Sequence, residues 1–228
     1  MAETVQQFID KLTPNHRVII IGGVAVIGHG MSRHTKDADI WLEPLHHAKA
    51  WADVVDSVCR QVPGTSIHRL PGWIEVRGSE IAHAAEETGM VRIHGLNVPL
   101  DIFRKPNEFD ESVFDAVAKR AKRNDDGTLL PEPLDLVQTK MNTVRDHDQQ
   151  DILFLESLVR ADYKKRLPVA TIEEATAMLN RYSEWQVLQA ALENPSEQVR
   201  ALAHQHLREF AEAGDPFSQA ILEGREIP

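Results

Sequence analysis

Cysteine is almost missing from this chain: one residue in 228, Cys59. A single thiol excludes an intrachain disulfide and any cysteine-built zinc cluster, and places Cys59 in a hydrophobic core instead. Long apolar runs are missing too. Nothing approaches the roughly 18 consecutive apolar residues of a membrane helix, and the opening MAETVQQFIDKL lacks the basic-then-apolar order of a secretory signal. A cytoplasmic protein with no membrane contact is therefore expected. Basic residues are the scarcer sign: 25 Lys and Arg against 35 Asp and Glu leave a formal charge of −10. That balance argues against a broad grip on duplex DNA or an anionic membrane. Internal repeats and low-complexity tracts are lacking as well. What remains, at 42% hydrophobic content, is enough to bury a real core.

The apolar spacing organises that core. Val5, Phe8, Ile9 and Leu12 share one face of a short helix over 3–12. Trp51, Val54, Val55 and Val58 do the same in the stretch after Pro44. After the Pro63-Gly64 and Pro71-Gly72 breaks, WIEVRG and MVRIHG read as strands, and VPLDIF as another after the Gly95-Leu96-Asn97 turn. From Glu108 onward the pattern turns helical, punctuated by Pro131, Pro133, Pro168 and Pro195. The expected fold is α/β (α+β), a mixed sheet with flanking helices over 1–106 and a helical region over 107–228 that completes a cleft.

The most informative stretch is IIIGGVAVIGHGMSRHTKDADIWLEP. An apolar strand over Val18 to Ile21 runs into Gly22-Gly23, a short helix follows, and Asp37 and Asp39 begin the next strand. With a period of two, both carboxylates face the same way, about 7 Å apart, and at an effective dielectric near 20 they repel by roughly 2 kcal/mol. A cation between them removes that penalty, and Mg²⁺ suits hard oxygen ligands. The glycines serve either as a tight turn or as a place where backbone N–H groups approach a phosphate. Ser32, Arg33 and Thr35 lie in the intervening loop, where Arg33 pairs with a phosphate or stays on the surface. Asp101, between Leu100 and Ile102, is a strand carboxylate of the kind that faces a cleft.

Later in the chain, Lys140 sits amid Leu136, Val137, Val144, Phe154 and Leu158 if 134–158 is one helix at about 100° per residue. An ammonium there needs a partner: Asp151, eleven positions on, or a phosphate in the cleft. Asp146 or Asp148 capping a new helix would break that register. The basic clusters Lys119, Arg120, Lys122, Arg123 and Lys164, Lys165, Arg166 are read as helix-end or solvated charge, with local RNA-binding patches as the alternative. His46-His47 and His204-x-His206 have spacings that point apart, so they are read as surface histidines and not as a metal pair.

The strand, Gly-Gly, helix, Asp-x-Asp order, with thirteen residues between Gly23 and Asp37 and a later strand carboxylate, resembles the signature of the DNA polymerase β-like nucleotidyltransferase superfamily. DLVQTKMNTVRDHDQQDILFL is similar to the Lys, Arg, Asp-x-x-Asp helical segment of the AbiEii-like, toxin-type branch, with Lys140, Arg145, Asp148 and Asp151 at the matching positions. The resemblance covers most of residues 17–160. It implies a metal-dependent enzyme that moves a nucleoside monophosphate from an NTP, such as ATP, onto an acceptor hydroxyl. It further implies two Mg²⁺ ions held by Asp37, Asp39 and Asp101, catalytic roles for these three and Lys140, and nucleotide contacts from Gly22, Gly23, Ser32, Arg33 and Asp151. The acceptor it implies is RNA or protein, with an antitoxin protein as a restraining partner. Two other readings stay open: a small-molecule enzyme of the antibiotic-modifying kind, for which the acidic charge favours a cationic acceptor, and a catalytically silent nucleotide-binding module.

Overall fold

The computed structural model describes residues 3–106, 112–141 and 146–225, apart from the side chain of Asp146; Arg145 lies outside the described residues. The chain divides into two compact units, Met1–Leu155 and Glu156–Pro228.

In the first unit, α1 (Val5–Leu12) is followed by β1 (Val18–Ile21), α2 (Gly22–Gly28) and β2 (Ala38–Leu42). Next come α3 (Ala48–Gln61), β3 (Ser66–Arg69), β4 (Ile74–Glu75), α4 (Ser79–Glu87), β5 (Met90–His94) and β6 (Leu100–Phe103). The unit ends with α5 (Val113–Arg120), β7 (Lys122–Arg123), β8 (Leu129–Leu130), α6 (Pro133–Lys140) and part of α7 (Asp146–Arg166). The strands form one sheet in the order β4-β3-β5-β6-β2-β1-β8-β7. It is mixed, as expected: β2 runs parallel to β6 and β1 to β8, while the other neighbours are antiparallel.

Strand alternation sorts the side chains into two cores. Ala38, Ile40 and Leu42 of β2, Val91 and Ile93 of β5, and Leu100 and Ile102 of β6 pack with Phe8 and Leu12 of α1, Trp51 and Val55 of α3 and Ile81 of α4. On the opposite face Ile19 and Ile21 of β1 and Trp41 of β2 pack with Ala25 and Val26 of α2, Phe114 of α5 and Leu136 of α6. Each fully buried large side chain contributes about 1.5–3 kcal/mol of transfer free energy. The helix ends are capped locally. Thr4 and Gln7 form a capping box at α1, and His47 Nδ1 accepts from the Ala50 amide at the start of α3.

Three features differ from the sequence expectation. The short strands β7 and β8 lie in the stretch read as wholly helical; they join the sheet through Leu129 beside Ile19, and Gly127 at φ 83° supports the turn between them. The strand β3 and the helix α4 were not anticipated. The continuous helix over 134–158 is broken: α6 stops at Lys140 because Met141 is extended, and α7 starts at Asp146.

The second unit carries the end of α7, a 3₁₀ turn (Leu167–Val169), α8 (Ile172–Arg181), α9 (Trp185–Leu192), α10 (Glu197–Glu212) and α11 (Pro216–Leu222). Its core holds Ala175, Met178, Leu179, Leu188, Ala191, Val199 and Leu207, while Leu192, Leu202 and Phe210 are only partly buried. Buried Asn194 ties the unit together by donating to the Leu167 and Ala170 carbonyls at 2.6 and 2.9 Å.

Candidate functional site

The face of the sheet that carries Ile21 and Trp41 also carries the charged residues. Asp39 lies between Ala38 and Ile40, Asp101 between Leu100 and Ile102, and Arg92 between Val91 and Ile93, whose apolar neighbours all belong to the other core. Pairing of β2 with β6 puts Asp39 beside Asp101, and pairing of β5 with β6 puts Arg92 beside Asp101. All three side chains line one cavity of about 650 Å³, together with Asp37, Gly22, Gly23, Arg33 and Lys140. Every lining residue comes from the first unit. Six of the nucleotide- and metal-site candidates from the sequence thus meet here with Lys140. Ser32 does not: it is exposed and lines neither this cavity nor its neighbour. Asp151 lines the neighbouring cavity, which shares Arg33, Thr35, Asp37 and His147 with the first.

The glycine turn is shaped to the carboxylates. Gly22 has φ 61°, and a Cβ there would stand 2.0 Å from Asp39 Oδ2. A Cβ on Gly23 would meet Thr35 Oγ1 at 2.9 Å and Arg33 Nη2 at 3.3 Å. Backbone at this turn therefore lies hard against the loop and the carboxylate, with no room for side chains. Gly22→Ala is expected to cost about 2–4 kcal/mol, combining left-handed strain with displacement of Asp39. Gly30→Ala is the comparison, since Gly30 has φ 101° but nothing within 4 Å of its Cβ position. Urea unfolding of the two variants checks this, and equal losses would contradict it.

Asp39 carries the strongest electrostatic signature. Its carboxyl is pushed up to about 7, first by burial, then by the charges of Asp101 and Asp37, with Lys140 and Arg92 pulling it back only in part. Asp37, less buried, has its backbone carbonyl and Oδ1 at 3.0 and 3.3 Å from the Thr35 hydroxyl.

Arg92 is the residue that sequence reasoning missed. Its Nε and Nη2 donate to the two oxygens of Asp101 at 2.5 and 2.6 Å, and Nη2 lies 3.5 Å from Asp37 Oδ2. Its guanidinium carbon sits 3.9 Å from the Trp73 ring centroid. The signal available in the sequence was a lone arginine between Val91 and Ile93 in an apolar strand.

On the helical side, Lys140 Nζ bonds Asp148 Oδ1 at 2.9 Å and Asp151 Oδ2 at 2.8 Å. Lys140 and both carboxylates are buried, and Arg33 also donates to Asp151 Oδ2. The partner expected for Lys140 is therefore present, brought there by the break between α6 and α7 and not by helix periodicity. Asp151 Oδ1 is buried without a hydrogen-bond partner.

Asp37 and Asp39 are hard-oxygen groups, and the Asp39 carboxyl is raised first by burial and then by the neighbouring charges of Asp101 and Asp37. Asp101 has suitable chemistry, but both its oxygens engage Arg92. Among the described residues no three His, Cys, Asp or Glu side chains stand grouped as a ready-made metal site. The chemistry of Asp37 and Asp39 suits a divalent cation, whereas both oxygens of Asp101 are taken by Arg92. Among the described residues, no helix is long and apolar enough to cross a membrane.

No protein-family model matches the sequence, and no curated protein matches it. Among solved structures the chain is similar to a protein of H. pylori named provisionally as a nucleotidyltransferase, at 14% identity over 90% of this chain and 93% of that one, with a TM-score of 0.37.

Proposed function

We propose that the cavity binds a nucleoside triphosphate with Mg²⁺ and transfers its nucleoside monophosphate to an acceptor hydroxyl. The observation that carries this reading is the set of three carboxylates, Asp37 just before β2, Asp39 on β2 and Asp101 on the neighbouring β6, around the side-chain-free Gly22-Gly23 turn, with one carboxyl raised to about 7. Asp37, Asp39 and Asp101 would hold the metal; when bound, it would offset charge on the triphosphate and on the attacking and leaving oxygens.

The chain's own groups supply the rest. Gly22 and Gly23 line the cavity, where their backbone amides are the groups of the turn that would approach a phosphate. Arg33 and Lys140, both in the cavity wall, offer cationic donors to the same anion. Asp151 holds those two side chains through one carboxylate oxygen and so acts as a positioning residue more than as a direct nucleotide contact. As the acceptor oxygen bonds the α-phosphorus and the bond to pyrophosphate breaks, the hydroxyl proton passes to a carboxylate at the site, Asp101 in this reading. By the resemblance, the acceptor is RNA or protein, in a toxin whose partner is an antitoxin protein.

The test is incubation of the purified chain with each α-³²P-labelled NTP and Mg²⁺, with and without total RNA. Label on RNA or protein that disappears in Asp39→Ala is the expected result. Label on an aminoglycoside-type cationic acceptor alone would replace the macromolecular acceptor. NTP binding without transfer to any acceptor would reduce the site to a nucleotide-binding module.

A further inference from the structure

Among the described residues, Arg92 has a position unlike that of any other cation near the site. Lys140 and Arg33 are held by Asp148 and Asp151 on the helical side, but Arg92 is bonded through two nitrogens to a carboxylate assigned to the metal. One of those nitrogens also reaches toward a second such carboxylate, Asp37. A guanidinium in that place screens the charge that a divalent ion would otherwise meet, and it occupies both Asp101 oxygens. Its other contact is a neutral one that survives loss of Asp101: the face of Trp73, 3.9 Å from the guanidinium carbon. Trp73 is itself anchored in the turn between β3 and β4, where His68 Nδ1 lies 2.8 Å from the Trp73 carbonyl oxygen.

We infer that Arg92 competes with the divalent cation for Asp101: the guanidinium neutralises the carboxylates in the metal-free protein and yields Asp101 to the ion on binding, retained by the Trp73 ring. This rests on the reading of Asp37, Asp39 and Asp101 as cation ligands. It adds that cation affinity is set low by a side chain of the protein itself.

The experiment is Mn²⁺ titration of the full chain, followed by calorimetry and by the free-Mn²⁺ electron paramagnetic resonance signal. Wild type is compared with Arg92→Ala, Arg92→Gln and Arg92→Lys. Removal of one positive charge beside the site is expected to tighten Mn²⁺ binding by about tenfold in the Ala and Gln variants. The Lys variant, which keeps the charge, stays within about threefold of wild type. Gln also keeps a donor for Asp101, so it guards against simple misfolding in the Ala protein.

Melting curves give an independent readout. In EDTA Arg92→Ala melts below wild type, because Asp101 has lost its partner, and saturating Mn²⁺ closes that gap. If wild type binds Mn²⁺ and the neutral variants bind it equally or more weakly, or the melting gap is the same with and without Mn²⁺, the competition is overturned while the cation site stands. If neither wild type nor any variant binds Mn²⁺, the parent reading of the carboxylates fails, and this inference with it.

Discussion

Asp39→Asn is expected to stabilise the metal-free protein while abolishing its activity. The folded carboxyl titrates at about 7, against about 3.9 in an unfolded chain. Between those values the folded state holds more protons than the unfolded state, so stability falls as pH rises through this window and levels off above it. Asparagine has nothing to ionise. The variant's advantage should be near zero below pH 4 and grow to as much as about 4 kcal/mol above pH 7, a rise in Tm on the order of 10 °C. Saturating Mg²⁺ should reverse the order, because only the wild-type carboxylate gains from the ion. On the proposed function, nucleotidyl transfer should drop by about 10³-fold with the loss of a charge proposed to hold the cation. Scanning calorimetry in EDTA at pH 5 and pH 8 checks the first half; a variant that melts at or below wild type at pH 8 would contradict it.

Lys140→Met is expected to act in the opposite direction. The ammonium is 7% exposed and bonds Asp148 and Asp151, themselves 8% and 1% exposed in their side chains. Methionine fills similar space but strips both carboxylates of that bond, and breaking a buried ion pair from one side costs about 3–5 kcal/mol. Tm should fall by about 10 °C. Asp148→Asn in the same background should restore at least about 1 kcal/mol, because one uncompensated charge is gone. ATP affinity in the presence of Mg²⁺ should fall with the single substitution and not recover in the double one, which separates the phosphate role from the structural one. Urea unfolding and calorimetric titration report the two quantities, and a loss of less than about 1 kcal/mol would show that the pair is dispensable.

Local chemistry explains which parts of the site were legible beforehand. The short β-branched run Val18 to Ile21 reads as a buried strand, and Gly22-Gly23 ends it. The Asp-x-Asp alternation in DADIWL placed Asp37 and Asp39 on one side, as the cavity lining bears out. Asp101 stood out as a carboxylate flanked by Leu100 and Ile102. Lys140 and Asp151 were matched as partners because a buried ammonium demands one, yet the helical wheel behind that pairing assumed a continuous helix. The extended backbone at Met141 removes that helix, and the contact is tertiary.

The unread parts have weak periodic signals. Two-residue strands such as β7 and β8 are too short to alternate, and β3 buries only Ile67. Ser32 was grouped with Arg33 by adjacency, but neighbours in an extended loop point apart. Arg92 was passed over because its significance lies in what it faces, and it faces Asp101 only after β5 and β6 pair.

From its sequence alone this protein's mixed sheet, its Gly-Gly turn, its candidate carboxylates and the need of Lys140 for a partner all follow, since each depends on residue type and on spacing within one or two elements. Tertiary structure alone decided the rest: that Asp39 stands beside Asp101, that burial and those neighbours lift its carboxyl to about 7, and that Arg92 holds Asp101 while Asp151 is shared by Arg33 and Lys140. Charge interactions fall off with distance and grow with burial, and both are set by strand register and by helix ends that bring together residues far apart in the chain.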